Sequence, residues 1–137
     1  MFSLSNKSTY GIAAILHLAT HHGRGLVQIK NISAHGDIPQ AYLEQLLNRL
    51  VKSGIVRAVR GKKGGYALSQ DPSHISLLAV LEALEGAVSI AQSAQSFPAI
   101  KEVLLAIEQD IRKSLDIPLS DLLARQEEMS AKEMYFI

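Results

Sequence analysis

The stretch from Pro39 to Leu68 constrains the fold more than any other part of the chain. Its first half carries apolar residues at positions i, i+3, i+4, i+7 and i+8, which predicts a helix with one buried stripe. The stripe consists of Leu43, Leu46, Leu47, Leu50 and Val51. Pro39 suits the first helical turn and Gly54 suits the helix end. Residues 55–59 and 66–68 follow as two short strands around a glycine-rich turn, so a helix runs directly into a β-hairpin.

The face opposite the leucine stripe carries polar side chains that suit contact with DNA bases. Glutamine pairs with adenine, glutamate accepts a hydrogen bond from cytosine, and alanine contacts the methyl group of thymine. The residues on this face are Gln40, Ala41, Glu44, Gln45, Asn48 and Lys52. The pattern indicates a helix whose polar face can contact base edges.

The segment from Gln45 to Gln70 contains six basic residues and no acidic one. They are Arg49, Lys52, Arg57, Arg60, Lys62 and Lys63. A basic cluster of this kind is typical of a phosphate-binding surface. The alternative is an amphipathic helix with a solvated polar face, followed by a flexible basic hairpin.

The length of 137 residues and the hydrophobic content of 47% favour one folded domain with a substantial core. The chain has no cysteine, which excludes disulfides and thiolate chemistry. We find neither an apolar run near the roughly 18 residues of a membrane span nor the pattern of a secretory signal. We therefore expect a cytoplasmic protein with no membrane association.

The net charge of +1 hides a strong asymmetry along the chain. Residues 1–81 hold nine Lys/Arg and three Asp/Glu, a net +6, whereas residues 82–137 hold five Lys/Arg and ten Asp/Glu, a net −5. This segregation suits a protein that meets a polyanion with one end only.

Further helices are predicted before the central stretch. Ser5 is a suitable cap for a largely apolar helix that ends near His21, and residues 26–29 form a short extended segment, a candidate third strand. We predict a short helix at Lys30–His35, followed by a turn at Gly36-Asp37. A short helix, a tight turn and a second helix indicate a helix-turn-helix, and the hairpin makes it a winged one.

The second half of the chain is also predicted to be helical. Ser76 caps a helix through Glu85, residues 87–97 form a loop, and Pro98 opens a longer helix to about Leu115. A turn and a short helix follow at residues 117–123. The expected domains are a winged helix-turn-helix at 1–75 and a helical dimerisation and sensing region at 76–125, followed by a C-terminal tail at 126–137 that ends in Met134-Tyr135-Phe136-Ile137.

The helix from Pro98 to Leu115 carries an apolar stripe with coiled-coil-like spacing. The stripe consists of Ile100, Val103, Leu104, Ile107 and Ile111. An apolar stripe outside a compact core is a candidate dimer face. Packing of this stripe within the monomer remains equally open.

Metal binding and catalysis have weak support in the sequence. His17 and His21 are spaced i, i+4 beside His22, but no third ligand follows at a fixed spacing, and we predict no metal site. The chain lacks nucleophile and nucleotide-binding motifs, and Glu82 and Glu85 are expected to form a solvated pair. We therefore predict no enzyme activity and no cofactor.

The whole pattern resembles the IscR-type (Rrf-two) family of bacterial winged-helix transcription regulators. The resemblance rests on LSNKSTYGIAAILHLA, on IPQAYLEQLLNRLVKSGIV, on the wing VRGKKGGYAL, on HISLLAVLEALEG and on IPLSDLL. It implies a homodimer on an operator, the helix Pro39–Lys52 in the major groove, and a dimerisation helix. With the residues above, it gives these DNA-binding candidates: Lys7, Tyr10, Pro39, Gln40, Ala41, Tyr42, Glu44, Gln45, Asn48, Arg49, Arg57, Arg60, Gly61, Lys62 and Lys63.

The chain departs from the family pattern in three places. Family members that hold an iron–sulfur cluster carry three cysteines in the loop after the helix that ends here at Gly86. Lys62 and Lys63 replace the neutral pair that family wings often carry. Ser3 and Ser8–Tyr10 stand where the family often has an arginine near the N-terminus and a Gly-Arg-Tyr triplet. The first departure removes the family's best-known sensor. The others suggest that phosphate contacts have moved from the N-terminal helix to the wing.

Two functions from different classes remain open. The first is a sequence-specific, dimeric DNA-binding regulator, expected to be a repressor, that acts on a palindromic operator without an iron–sulfur cluster. The second is a protein-interaction module whose acidic C-terminal half docks an enzyme or another regulator. In either case the loop at residues 87–97 is expected to engage a small molecule or a protein effector, with Ser89, Gln92, Ser93, Gln95 and Ser96 as hydrogen-bonding groups.

Overall fold

The computed structural model describes residues 3–135, apart from the side chains of Ser93, Met134 and Tyr135. The end of the predicted tail, Phe136-Ile137, lies outside these residues. Six helices and one hairpin follow in chain order: α1 Asn6–Thr20, α2 Ile29–Gly36, α3 Gln40–Lys52, β1 Val56–Val59, β2 Gly65–Leu68, α4 Leu77–Glu85, α5 Pro98–Leu115 and α6 Leu119–Tyr135. Two 3₁₀ turns lie at Pro72–His74 and Gln92–Ala94.

Helices α2 and α3 form the predicted helix-turn-helix. Asp37 ends α2 in the left-handed conformation with a φ of 50°, which turns the chain into α3. Pro39 occupies the N-cap of α3 rather than its first turn, so the predicted start was one residue early. Four leucines of the predicted stripe are fully buried, while Val51 at the helix end is half-buried.

The wing is a two-stranded antiparallel hairpin in which Val56 pairs with Leu68 and Val59 with Gly65. The candidate third strand is reduced to one bridge, because α2 begins at Ile29 and leaves only Val27 free to pair with Tyr66. The Val27 N–H donates to the Tyr66 carbonyl at 2.8 Å, and the Tyr66 N–H donates back at 2.9 Å. This bridge holds the base of the wing against the segment before α2.

One hydrophobic core joins the two halves of the chain. It runs from Ala14 and Ile15 on α1 through the leucines of α3 to Val80 and Leu84 on α4, and it includes Leu119 at the start of α6. Helix α1 contacts α2, α3, α4, α6 and β2. The predicted boundary at residue 75 therefore falls inside a core that residues from both sides share. It can divide the chain by function, but it does not divide it into two separately packed units.

The C-terminal helices differ in how they meet this core. Helix α5, which lies wholly within the described range, buries none of its side chains. Helix α6 is much longer than the predicted short helix and continues through the segment that was expected to be a tail. Leu119 anchors it, and the strong helix formers that follow let it continue in solvent. None of the helices in residues 3–135 combines the length and apolar content that a bilayer crossing requires.

Two acidic residues on α4 make contacts that the sequence did not indicate. Glu85 accepts hydrogen bonds from the hydroxyls of Ser5 and Ser8, the latter at 2.6 Å, so Ser5 serves Glu85 instead of capping α1 with its side chain. Glu82 forms an ion pair with Arg112 of α5 at 3.2 Å. The expectation of a solvated Glu82–Glu85 pair was therefore wrong.

Candidate nucleic-acid interface

An open groove of about 760 Å³ lies between α3, the wing and the start of α2. Helix α3 contributes Glu44, Asn48 and Val51, while Gln28, Ile29 and Lys30 come from the start of α2. The wing contributes Ala58, Val59, Arg60, Gly61, Gly64, Gly65 and Tyr66. The Val27–Tyr66 bridge holds the wing beside the start of α2, on one side of the groove.

The solvent-facing side of α3 is the one predicted from the sequence. Its exposed side chains are Gln40, Ala41, Glu44, Gln45, Asn48 and Arg49, together with Lys52. Glu44 and Asn48 face the groove, whereas Gln40, Ala41 and Gln45 lie outside its lining. The burial of the opposite leucines fixes this orientation, because a rotation of the helix would expose them.

Tyr10 and Tyr42 join α1 to the first turn of α3. Their rings are 5.9 Å apart at an angle of 84°, an edge-to-face contact, and both are half-buried against the core. Lys7 is half-buried one turn earlier on α1, and Pro39 is exposed. Pro39 and Tyr42 lie at the N-terminal end of α3, where Tyr10 contacts Tyr42, and this is the end that enters the groove of DNA in helix-turn-helix proteins.

Arg49 has an intramolecular partner that the sequence did not suggest. Its Nη1 donates a hydrogen bond to the carbonyl of Leu84 at 3.1 Å, at the C-terminal end of α4. A cation at this position satisfies a free carbonyl and opposes the negative end of the helix dipole. Its contact with DNA stays a prediction.

The tip of the wing presents exposed basic side chains. Arg60 and Gly61 line the groove, Lys62 and Lys63 are exposed at the turn, and Arg57 is exposed on β1 outside the groove lining. The Gln28 side-chain amide donates to the Lys62 carbonyl at 3.5 Å, a long contact that ties the tip to the start of α2.

Lys30 and Gln28 line the groove, although the sequence pattern did not identify them as candidates. Lys30 is exposed on the first turn of α2. A lysine there is unfavourable beside the positive end of a helix unless an anion is bound, and helix N-termini commonly hold phosphate. The position of Lys30 on the first helix of a helix-turn-helix was a signal that could have identified it.

Tyr66 adds a hydroxyl group to the floor of the groove. Burial, together with the nearby Glu44 carboxylate, raises the pKa of Tyr66. Its hydroxyl therefore stays protonated at neutral pH and can donate a hydrogen bond to an anionic oxygen.

The histidines identified in the sequence lie away from this groove. The ring of His17 lies 4.5 Å from that of His21 and 4.4 Å from that of His35 on α2, between centroids. Within residues 3–135 the structure brings no three His, Asp or Glu side chains together as a metal-binding set. Burial, followed by the neighbouring His35 and His21, lowers the pKa of His17.

The family model for Rrf2, described as an iron-dependent transcriptional regulator, matches residues 4–125 of this chain. The chain belongs to the Rrf2 family. The predicted family and the predicted winged, mainly helical fold are thereby confirmed, and the protein is a transcriptional regulator of the helix-turn-helix type.

Named Rrf2-family relatives are similar over different lengths. The regulator CymR of Bacillus subtilis is 31% identical over 136 residues, which are 98% of this chain and 99% of CymR. The regulator IscR of Serratia proteamaculans is 42% identical over 85 residues, which are 62% of this chain and about half (52%) of IscR.

Solved structures show the same fold. The structure of B. subtilis CymR, titled the global cysteine regulator, has a TM-score of 0.81 and 32% identity over 91% of this chain and 98% of that chain. The structure of T. potens IscR has a TM-score of 0.78 and 36% identity over 93% of this chain and 90% of that one.

The residues of this Rrf2 member do not fit the iron centre that the family description implies. Iron–sulfur clusters are held mainly by cysteine thiolates, and the chain contains no cysteine. The loop after α4 presents alanine, valine, isoleucine, serine, glutamine and phenylalanine, and the nearby Glu108 carboxylate is hydrogen-bonded to the Ile90 N–H. The described residues offer no other cluster of metal ligands.

Proposed function

We propose that this chain binds a palindromic operator as a homodimer and represses transcription in the bacterial cytoplasm without an iron–sulfur cluster. The observation that carries this proposal is the groove between α3 and a basic wing. Helix α3 enters the major groove, and the wing with Lys62 and Lys63 follows the phosphate backbone into the minor groove. The strand of DNA that links the two grooves lies over Lys30 and Tyr66.

The homodimer is supported by the unused apolar face of α5. Ile100, Val103 and Ile107 are 52%, 59% and 43% exposed in the single chain. Leu104 and Ile111 are half-buried against their own chain, so they border the stripe rather than form its centre. Pairing of two α5 helices buries the exposed residues and presents two α3 helices about 34 Å apart, as a palindromic operator requires.

The roles of the wing and of α3 are tested by comparing two sets of variants on DNA. The operator is first selected from a random pool, and its affinity is then measured against salt concentration. Replacing Lys62 and Lys63 with Ala should weaken binding to all sequences and flatten the logarithmic salt slope by about two units. Gln40→Ala or Glu44→Ala should instead change the preferred sequence, with about 1–3 kcal/mol for each lost base contact.

Two outcomes contradict this proposal. If the double lysine variant loses only sequence preference, the assigned roles are wrong. If no sequence is enriched from the pool and binding ignores salt, DNA is not the target.

The second candidate function is a protein-docking module, favoured by the acidic C-terminal half. Residues 82–137 carry a net charge of −5, and the surface of α6 from Gln126 to Glu133 is exposed. A stoichiometric protein partner captured by the full chain, with no DNA enriched from the pool, would favour this function.

A further inference from the structure

A small, shallow polar cavity of about 200 Å³, open to solvent, lies between the loop that follows α4 and one face of α5. Its lining is formed by Ser89, Ala91, Gln92, Gln95, Lys101, Leu105 and Glu108. Pockets for drug-sized ligands are larger, at roughly 300–1,000 Å³, so this cavity suits a smaller molecule. None of its lining residues lines the DNA groove or belongs to the exposed stripe of α5, so neither proposed contact uses it.

Two opposite charges stand on the α5 side of the cavity, at positions i and i+7 of one helical face. They are Lys101 and Glu108, and both are half-buried. Neither takes part in an ion pair within residues 3–135. The cavity therefore holds a cation and an anion, each still able to attract an ion of opposite sign.

Both charged groups have spare hydrogen-bonding capacity. The Lys101 ammonium donates to the Gln95 side-chain oxygen at 2.9 Å, and its other two donors have no partner among the described side chains. One oxygen of Glu108 accepts the N–H of Ile90 at 2.9 Å, and the second oxygen has no partner among them either. The buried methyl of Ala91 and the side chain of Leu105 supply an apolar wall between these polar ends.

We propose that this cavity binds a small zwitterion of amino-acid type, whose carboxylate pairs with Lys101 and whose ammonium group pairs with Glu108. The inference deepens the proposed function and rests on it, because the bound molecule would be the effector of the regulator. Ser89 and Gln92 select among side chains by hydrogen bonding, and Leu105 limits their size.

The location explains how binding reaches DNA. No side chain of α5 is fully buried, and the contacts of this helix with the rest of its chain include the Glu82–Arg112 ion pair and the two loop hydrogen bonds of Glu108 and Lys101. A ligand that engages Lys101 and Glu108 competes with or reinforces those loop contacts. It changes operator affinity to the extent that it prefers one orientation of α5, and hence one spacing of the two α3 helices.

The test measures binding of defined probes to the full chain by calorimetry in the absence of DNA. The probes are glycine, L-alanine, L-serine and L-glutamine. N-acetyl-L-alanine and L-alanine amide serve as controls that each keep only one of the two charges. We expect saturable binding of at least one zwitterion, one per chain, and no saturable binding of the two controls.

Two conservative variants locate the site. Lys101→Gln and Glu108→Gln each remove one charge, and the glutamine at 108 still accepts the Ile90 N–H. Each should weaken zwitterion binding about 10- to 100-fold, the range for loss of a hydrogen bond to a charged group. The matched controls are Lys113→Gln and Asp110→Asn on the same helix, which line none of this cavity and should bind as the parent does.

Operator affinity is then measured with and without the bound probe. A shift of at least about threefold that is lost in Lys101→Gln supports the effector role. The inference is overturned if no zwitterion binds, if the single-charge controls bind equally well, or if bound zwitterion leaves operator affinity unchanged. If the chain binds the zwitterion but enriches no DNA from the random pool, the binding site is supported and the proposed function is disproved.

Discussion

Single residues at the α1–α4 junction hold together two parts of the chain that are 80 positions apart in sequence. Glu85 accepts hydrogen bonds from the Ser5 and Ser8 hydroxyls and from the Ser5 N–H at the start of α1. Ser8 is fully buried, so without this carboxylate its hydroxyl would lose its described partner. The contact fixes the N-terminal turn of α1, which carries Lys7 and leads to Tyr10.

Glu85→Gln tests this junction through the pH dependence of stability. The Ser5 and Ser8 hydroxyls, with a smaller contribution from Lys7, lower the pKa of Glu85 below its ordinary value of 4.5. A lowered folded pKa stabilises the protein above pH 4.5, and this stabilisation is lost as the pH falls through the folded pKa. We expect the free energy of unfolding, measured by urea unfolding with circular dichroism, to decrease less on acidification for Glu85→Gln than for the parent.

The expected difference for Glu85 is at most about 1 kcal/mol, because the carboxylate is exposed. Glu127→Gln, which removes an exposed carboxylate on α6, is the control and should follow the parent. Equal acid loss in Glu85→Gln and the parent would show that the junction contributes nothing to stability.

Gly64 occupies a position in the wing turn that has no room for a side chain. A Cβ at this position would lie 2.1 Å from the carbonyl oxygen of Val59, a backbone atom that the hairpin itself holds in place. Gly64→Ala should therefore destabilise the hairpin by about 1–3 kcal/mol, as expected for overpacking, and should weaken DNA binding. Unfolding and DNA affinity are both measured, with Lys63→Ala as the neighbouring variant that removes charge without a steric conflict. Unchanged stability in Gly64→Ala would contradict the described turn.

At the scale of elements, the contact between α1 and α2 contains three stacked histidines. His17 lies on α1, His21 is the C-cap of α1, and His35 lies on α2. The Nε2 atom of His17 is buried and has no hydrogen-bond partner among the described residues. Protonation of His17 would place a charge there beside two other imidazoles, and α1 would be pushed away from the first helix of the helix-turn-helix.

The sign of this effect follows from the lowered pKa of His17, caused first by burial and then by His35 and His21. The histidine stabilises the fold above its unfolded pKa of about 6.5, and the stabilisation is lost as the pH falls through the lower folded pKa. Between pH 7.5 and 5 the parent should lose stability more steeply than His17→Phe, which keeps a ring but cannot be protonated.

The measurement for His17 is the slope of unfolding free energy against pH, so a constant offset caused by the substitution does not matter. His74→Gln, an exposed histidine outside the stack, is the control. If His17→Phe retains the slope of the parent, the histidine stack does not govern acid sensitivity.

At the scale of the whole molecule, we expect dimerisation through α5 to be required for binding to a palindromic operator. Val103→Glu and Ile107→Glu place charges at the centre of the exposed stripe and should give monomers in sedimentation experiments. Loss of the second half-site contact should then weaken operator binding by roughly 10²–10⁴-fold. Met129→Glu on α6, where the methionine is 61% exposed, is the control and should stay dimeric. Dimers that persist in both α5 variants would place the interface elsewhere.

The sequence by itself determined the elements whose signals are local. The period of the leucines predicted α3 and its buried side, the glycine-rich basic turn predicted the wing, and the charge asymmetry predicted which half would meet DNA. The family and the winged fold were confirmed. The domain division, the DNA contacts and the dimer face stay predictions, although the exposure of Val103 and Ile107 supports the last.

Tertiary structure alone decided the features that depend on residues far apart in the chain. Glu85 meets Ser8 across 77 positions and Arg49 meets the Leu84 carbonyl across 35, and neither partner can be read from local spacing. His35 joins His17 only because α2 packs on α1, and Lys30 reaches the groove only because the wing folds back to Val27. Hydrophobic periodicity specifies which face of a helix is buried, but not which polar side chains its packing brings together.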